Sequence, residues 1–147
     1  MATITKLEDF QAWVRARELN TMVHQIVLLD SFKQLLTLKF QMQKSSRSVM
    51  ANLAEGFGRK GNAEFLNFIS IAMGSLAELK SDVYSSFDQK LISDQCFTDL
   101  IELIDLVGKL SNGMAKSLRK SPLTSTKFKK NISGTNNQNP SKFDTPD

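Results

Sequence analysis

The sequence predicts an all-α fold, an antiparallel up-down-up-down four-helix bundle followed by a disordered C-terminal tail. All three prolines lie in the last 26 residues, so no proline ring interrupts a helix within residues 1–121. Apolar residues in that region recur at three- and four-residue spacings. From residue 122 onward, polar residues dominate and leave too little apolar surface to offset the entropy of ordering. We therefore assign residues 1–121 to the bundle and residues 122–147 to a basic and polar tail.

The first helix is expected to begin at a capping box, in which Thr5 caps the helix and Glu8 reciprocates three residues later. It should continue to about Leu29, because apolar residues keep the helical spacing up to that point. Its buried stripe is predicted to comprise Phe10, Trp13, Val14, Val23, Ile26 and Val27.

The second helix carries the same kind of start signal, with Ser31 as the cap and Gln34 in the reciprocal position. It should end at Glu55, and Gly56 then suits the left-handed conformation that often follows a helix. Its buried stripe is predicted to comprise Leu35, Leu38, Met42, Val49 and Leu53.

The third helix is the most apolar of the four. Asn62 is the expected cap of the third helix, and Ser93 or Asp94 that of the fourth. Gly108 and Gly113, inside the fourth helix, suggest close contact with a neighbouring helix. The predicted inward residues are Phe65, Phe68, Ile69, Ala72, Leu76, Leu79, Val83 and Phe87 in the third helix, and Phe97, Leu100, Ile101, Ile104, Val107, Met114 and Leu118 in the fourth.

Each of these two helices also carries a second apolar stripe, although one bundle needs a single buried stripe per helix. Either both helices lie unusually deep in the fold, or copies of the chain cover the extra stripes. The second interpretation makes the chain a homo-oligomer. Its candidate interface residues are Leu66, Met73, Ala77, Tyr84, Leu103, Leu106 and Leu110.

The positive charge is concentrated in one segment. The chain has 19 Lys and Arg against 15 Asp and Glu, a net charge of +4, yet residues 116–130 hold six basic side chains and no acidic one. Basic residues in a last helical turn offset the helix dipole, and charged tails are often merely solvated. A basic segment with an aromatic residue, here Phe128, also suits phosphate contact and base stacking. The candidate nucleic-acid-binding residues of this segment are Lys116, Arg119, Lys120, Lys127, Lys129 and Lys130.

Two further basic pairs are weaker candidates for binding nucleic acid. Lys44 and Arg47 are three residues apart and therefore share a helix face. Arg59 and Lys60 lie just before the third helix, whose first N–H groups can attract a phosphate. The connector 56–61 also reads G-x-G-x-x-G. A dinucleotide-binding fold needs a strand before that motif, and here a helix precedes it, so helix punctuation is the better interpretation.

Composition argues against several classes of protein. One cysteine, Cys96, and one histidine, His24, are too few for a structural zinc site, and Cys96 has no partner for an intramolecular disulfide. We find no spacing typical of a catalytic constellation, so we expect no enzymatic activity, no metal and no cofactor. The first ten residues include acids where a secretory signal is apolar, and no stretch approaches about 18 uninterrupted apolar residues. A cytoplasmic protein that does not enter a membrane is therefore expected.

Several stretches of the sequence form one recognisable pattern. They are Leu7-Glu-Asp-Phe-Gln-Ala-Trp13, Asn52-Leu-Ala-Glu-Gly-Phe-Gly-Arg59, Glu64-Phe65 with Phe68, Ile71-Ala-Met-Gly-Ser-Leu-Ala-Glu-Leu79, and Leu110-Ser-Asn-Gly-Met-Ala-Lys-Ser-Leu118. Together they resemble the four-helix-bundle proteins encoded in intervening sequences of large-subunit ribosomal RNA genes, over residues 5–120. The chain departs from that pattern at Met50, where a proline is usual.

The resemblance implies a helical bundle whose subunits assemble as a five-membered ring. It also implies kinship with the accessory variability proteins of diversity-generating retroelements, which bind a reverse transcriptase and nucleic acid through basic surface. We therefore expect a non-enzymatic homopentamer that binds nucleic acid, RNA first of all, through the basic residues named above. The alternative is an adaptor ring that docks a protein such as a retroelement reverse transcriptase, with nucleic acid held mainly by that partner.

Overall fold

A computed structural model describes residues 4–120 of the chain, and most of them are helical. No strand occurs within that range, so the all-α prediction is confirmed. The predicted tail, with Lys127, Lys129 and Lys130, lies outside the described residues. Short 3-10 helices at Leu7–Asp9 and Asp30–Phe32 precede the first two α-helices. The four α-helices are α1 (Gln11–Ile26), α2 (Leu36–Phe57), α3 (Asn62–Asp88) and α4 (Asp94–Lys120).

Neighbouring helices run antiparallel, and the contacts between them show it directly. As residue numbers rise along one helix, the numbers of their partners fall along the next. The contacts pair Met42 with Ser86 and Ser48 with Ser75 between α2 and α3, and Lys80 with Asp105 and Phe87 with Phe97 between α3 and α4. α1 packs against both α2 and α4, which closes the bundle.

The core lies along the bundle axis and contains most of the inward residues that the sequence predicts, together with Leu19, which the predicted stripe of the first helix omits. Every helix contributes side chains that are fully buried, and their burial is the main stabilising term of such a fold. They include Leu19 and Val23 from α1, Met42 and Leu53 from α2, Leu79 and Val83 from α3, and Leu100 and Val107 from α4.

The predicted start of the first helix at Thr5 is wrong, because α1 begins at Gln11. Phe10 interrupts the helix with an extended backbone (φ −77°, ψ 98°). Its buried ring stacks on Phe57 at a centroid distance of 5.9 Å and meets the edge of Phe65 at 5.5 Å. The capping box is a local signal, and the burial of Phe10 between helices overrides it. At its other end α1 stops at Ile26, short of Leu29.

The predicted start of the second helix at Ser31 is also wrong, because α2 begins at Leu36. Ser31 instead lies in the second 3-10 helix, where its hydroxyl donates to the backbone oxygen of Leu91 at 2.6 Å. This turn buries Phe32 completely. The residues before α2 therefore tie the first connector to the last one rather than extend the helix.

Gly56 is not a left-handed cap, since α2 continues through it to Phe57 and none of the described glycines has a positive φ. A Cβ at Gly56 would lie 2.8 Å from both Phe65 Cδ2 and Phe68 Cβ of α3. Such distances are too short for a real side chain, so the glycine permits a close approach of α2 and α3.

The starts of the last two helices agree more closely with prediction. Ser93 caps α4, because the backbone N–H of Cys96 donates to Ser93 Oγ at 3.1 Å. Asn62 is the first residue of α3 rather than its cap, a position that Gly61 holds. The suggested close contact at Gly113 is wrong within the described residues, as nothing there lies within 4 Å of a Cβ at that position.

Candidate nucleic-acid interface

The basic residues at the end of α4 form an exposed surface. Lys116, Arg119 and Lys120 are all exposed, and none of them makes an ion pair or hydrogen bond within residues 4–120. Because α4 runs antiparallel to α3, this end of the bundle also holds the α2–α3 connector. The three side chains therefore lie at the same end as Arg59 and Lys60, the pair singled out by sequence.

Arg59 differs from those three residues because its charge is already engaged. Its Nη2 lies 2.7 Å from Glu55 Oε1, and its Nε lies 4.0 Å from Glu64 Oε2. The guanidinium also lies over the ring of Phe68, 5.2 Å from the centroid. Arg59 therefore joins the end of α2 to the start of α3, and two carboxylates offset its attraction for a phosphate.

Lys44 and Arg47 lie on the outer face of α2, far along the helix from the basic end. Both are exposed and make no ion pair among the described residues. They line a shallow groove of about 560 Å³ on the outer face of α2, which we call the α2 groove. No acidic side chain from residues 4–120 lines it; the lining residues are His24, Phe40, Gln43, Lys44, Arg47, Ser48, Ala51 and Asn52.

The predicted oligomer residues do not share one face. Those of α3 lie toward α4, on what we call the α3–α4 face. α4 meets α3 through Phe97, Asp105 and Gly108, and at 3.6 residues per turn Leu103, Leu106 and Leu110 lie on another side of α4. Ala77 and Tyr84 are exposed, whereas the rest are half-buried. Tyr84 meets the ring of Phe97 edge-on at 5.1 Å. A groove between Met73 and Ala77 on one side and Gly108 on the other leaves apolar surface open to solvent. Those that also pack against the core are Leu66, Met73, Leu103 and Leu110.

Sequence reasoning missed three exposed apolar residues near the first connector. Leu28 is 73% exposed, Leu36 70% and Phe40 60%. Leu36 and Phe40 are four residues apart and therefore share a face of α2. The sequence did contain a sign of this exposure. Both residues fall outside the predicted buried stripe of the second helix, so the predicted core gives this apolar pair no partner.

The remaining singled-out residues have structural surroundings. Burial raises the pKa of the Cys96 thiol, and the nearby charge of Asp99 raises it further. The thiol thus stays protonated and packs against the core. His24 Nδ1 lies 2.8 Å from the backbone oxygen of Asn20. A carbonyl oxygen only accepts, so Nδ1 carries the proton.

Among residues 4–120, none of the four α-helices contains an apolar segment of membrane-spanning length. Within the same range, no three His, Cys, Asp or Glu side chains come together as metal ligands would.

Comparison with known proteins gives one family. The model of the 23S rRNA-intervening sequence protein family matches residues 8–113, about 70% of the chain. The match includes α1, α2, α3 and most of α4, with Lys44, Arg47, Arg59 and Lys60. It ends before Lys116, so the basic segment 116–130 lies outside it. No curated protein matches the chain.

Proposed function

The chain belongs to the 23S rRNA-intervening sequence protein family, and on that premise we propose that it is a non-enzymatic, homo-oligomeric helical bundle that binds nucleic acid. The family match carries the proposal, because the family's name ties these proteins to intervening sequences of 23S rRNA. RNA is therefore the nucleic acid to test first. We propose that exposed basic side chains form the surface that contacts the nucleic acid.

The charge distribution supports the end of α4 as the main binding surface. Lys116, Arg119 and Lys120 are unpaired among the described residues, and the other three cations of segment 116–130 follow within ten residues of Lys120 in the sequence. Each cation that neutralises a phosphate releases counterions, so log K falls by about 0.7–0.9 per contact for each tenfold rise in salt. An unpaired surface cation is free to contribute in this way, whereas Arg59 is held by Glu55 and Glu64.

Binding is tested by fluorescence anisotropy with a labelled RNA at several salt concentrations. We expect the triple variant Lys116→Gln, Arg119→Gln, Lys120→Gln to weaken binding and to lower the salt slope by about 2. The matched control removes three exposed lysines elsewhere on the bundle, Lys33→Gln, Lys90→Asn and Lys109→Gln, and should change the slope much less. The proposal fails if the protein does not bind at low salt, or if replacing all six cations of segment 116–130 with Gln leaves the affinity unchanged.

We propose in addition that the oligomer is a homopentamer joined through the α3–α4 face. The partly open groove beside Ala77 and the exposed ring of Tyr84 support this choice of face. Five copies would bring five basic ends into one particle, which would steepen the salt dependence of binding.

Light scattering on the purified protein at micromolar concentration tests the assembly. A mass of five chains is expected, and a monomer would contradict the proposal. Ala77→Lys should dissociate the particle because it places a charge in an apolar contact. Ala63→Lys, the same change at another exposed position of α3, should leave it intact. Circular dichroism confirms that both variants remain folded.

A second candidate function, an adaptor that docks a protein, is favoured by the exposed side chains of Leu28 and Leu36. A purified retroelement reverse transcriptase is the partner to test. Under this alternative the two proteins remain bound after nuclease treatment and in high salt, and Leu28→Lys releases them. Loss of the complex on nuclease treatment would instead show that nucleic acid bridges the two proteins.

A further inference from the structure

Phe40 stands apart from every other aromatic residue in the described part of the chain. The other rings there are either buried, as Phe10 and Phe32 are, or have an aromatic or guanidinium partner, as Tyr84 has in Phe97. Phe40 is 60% exposed and has neither kind of partner among the described residues. Its ring is therefore available to a ligand that can lie flat against it.

The charged residues next to Phe40 indicate the chemistry of that ligand. Lys44 and Arg47 follow Phe40 by four and seven residues, so all three lie on the same side of α2. At 1.5 Å of rise per residue, Phe40 and Arg47 are about 10 Å apart along the helix axis. The ring of Phe40 is therefore close enough to Lys44 and Arg47 for one short stretch of nucleic acid to stack a base on the ring and place its phosphates against the two cations.

The lining of the α2 groove favours an anion over a peptide of mixed charge. No carboxylate lines it, and neither Lys44 nor Arg47 has an ion-pair partner among the described residues. Apart from Phe40, its other lining side chains are small or neutral hydrogen-bonding groups. Nε2 of His24 remains as that ring's second hydrogen-bonding atom, since Nδ1 donates to Asn20. Such groups can contact the edge of a base without competing for the cations.

We propose that the α2 groove is a binding site for single-stranded nucleic acid, in which one base stacks on Phe40 and the neighbouring phosphates contact Lys44 and Arg47. This inference rests on the proposed function and adds a second, distinct site to it. A duplex keeps its bases stacked on each other, so only an unpaired base can use the ring. The site belongs to the part of the chain that matches the family, unlike the basic segment 116–130.

The test compares a labelled single-stranded RNA of 12 nucleotides with a duplex of the same sequence, by anisotropy, on the full chain. We expect Phe40→Ala to weaken single-strand binding by about 5- to 150-fold, the range found when a stacking aromatic is truncated. Duplex affinity should stay unchanged. The matched control is Leu36→Ala, which removes an equally exposed apolar side chain one turn earlier and should leave both affinities as they are.

Two further variants separate stacking from other roles of this face. Phe40→Trp should restore single-strand affinity, and its fluorescence should be quenched by a bound strand, measured against the unmutated chain as background for Trp13. The pair Lys44→Gln and Arg47→Gln should lower the single-strand salt slope by about 1.4, the value for two phosphates. A change in mass by light scattering with Phe40→Ala would overturn the proposal and assign this face to a contact between copies of the chain.

The outcomes distinguish this inference from the function on which it rests. If the unmutated protein binds no RNA at low salt, the proposed function fails and the inference fails with it. If binding depends on Lys116, Arg119 and Lys120 but Phe40→Ala and Leu36→Ala behave alike, only the α2 groove is refuted. Equal loss of single-strand and duplex affinity with Phe40→Ala would likewise refute stacking.

Discussion

The α2–α3 contact and the α3–α4 contact of this bundle are built from different kinds of residue. α2 approaches α3 through Gly56 and through a hydrogen bond of 2.8 Å between the hydroxyls of Ser48 and Ser75. α3 meets α4 through larger apolar side chains, with the Phe87 and Phe97 rings stacked at 4.2 Å. The first contact depends on the absence of a side chain, whereas the second leaves a groove open to solvent.

This difference shows that a glycine within a helix does not by itself indicate a close contact with a neighbouring helix. Gly56 and Gly108 are both buried, the first one residue before the end of α2 and the second inside α4. A Cβ at Gly56 would collide with α3 at 2.8 Å, whereas a Cβ at Gly108 would lie 3.5 Å from Leu76 Cδ2 and 3.7 Å from Met73 Cε, ordinary contact distances. The same residue type is thus required in one contact and merely present in the other.

The largest expected effect comes from Gly56→Ala, which should break the α2–α3 contact. Overpacking a core costs about 1–3 kcal/mol, while alanine gains up to about 1 kcal/mol in helix propensity. We expect the free energy of unfolding to fall by up to about 2 kcal/mol, measured by urea denaturation. Gly74→Ala is the control, because nothing lies within 4 Å of a Cβ there. It should stabilise the protein.

Gly108→Ala should have the opposite sign. The methyl group fits beside Leu76 and Met73, so the gain in helix propensity of up to about 1 kcal/mol is expected to survive. Urea denaturation measures the gain, and light scattering checks that the assembly is unaltered. A loss of stability would mean that α3 and α4 are packed as tightly as α2 and α3.

A smaller, pH-dependent effect is expected at Asp82, which lines a groove between α2 and α3. Burial raises the pKa of its carboxyl, and the charge of Glu78 raises it further. The folded state thus binds this proton more tightly than the unfolded state, so the group favours folding at acid pH and loses that contribution as pH rises through the folded pKa.

Asp82→Asn should therefore stabilise the protein at pH 7, by about 0.5 kcal/mol or less. Its advantage should shrink as the pH falls through the folded pKa toward the ordinary value of 3.8. Thermal unfolding between pH 4 and pH 7 measures the trend. An advantage independent of pH would show that packing rather than charge is responsible.

The smallest effect is expected for the ion pair of the α3–α4 contact. Lys80 Nζ lies 2.7 Å from Asp105 Oδ1, and the hydrogen bond to that carboxylate raises the pKa of Lys80. Both side chains are substantially exposed, so solvent screens their attraction. In the Ala77→Lys variant, whose groove no second copy should cover, a double-mutant cycle with Lys80→Gln and Asp105→Asn should show little coupling, and none at about 1 M salt. Strong coupling in the unmutated chain alone would place the pair in a covered interface.

Sequence patterns predicted the helix number and the antiparallel order well, because those depend on local periodicity and short connectors. They failed at the starts of α1 and α2. Neither predicted cap forms, because no side chain caps the segments that begin near Thr5 and Ser31, and Ser31 Oγ donates to Leu91 instead. The chain buries Phe10 and Phe32 ahead of α1 and α2 rather than continuing those helices. Local signals cannot report such burial, since the atoms that bury these rings come from distant segments.

The candidate binding residues show the same division. The distribution of charge along the sequence identified Lys116, Arg119 and Arg59 as candidate binding residues without distinguishing among them. It could not tell that Glu55 and Glu64 engage Arg59 while the other two have no ion pair within residues 4–120. The exposure of Phe40 was not predicted, because a sequence alone does not distinguish an exposed aromatic residue from a buried one.

The sequence by itself determined that this protein is helical, that its charge is concentrated in segment 116–130, and that apolar residues outnumber those one bundle needs. These properties depend on spacing and composition, which are one-dimensional. The tertiary structure alone decided that Gly56 is a contact residue, which cations lack an ion pair among residues 4–120, and that no acidic side chain of those residues lines the groove of Phe40. Those properties depend on distances between segments, and a distance across the bundle arises only when the helices pack.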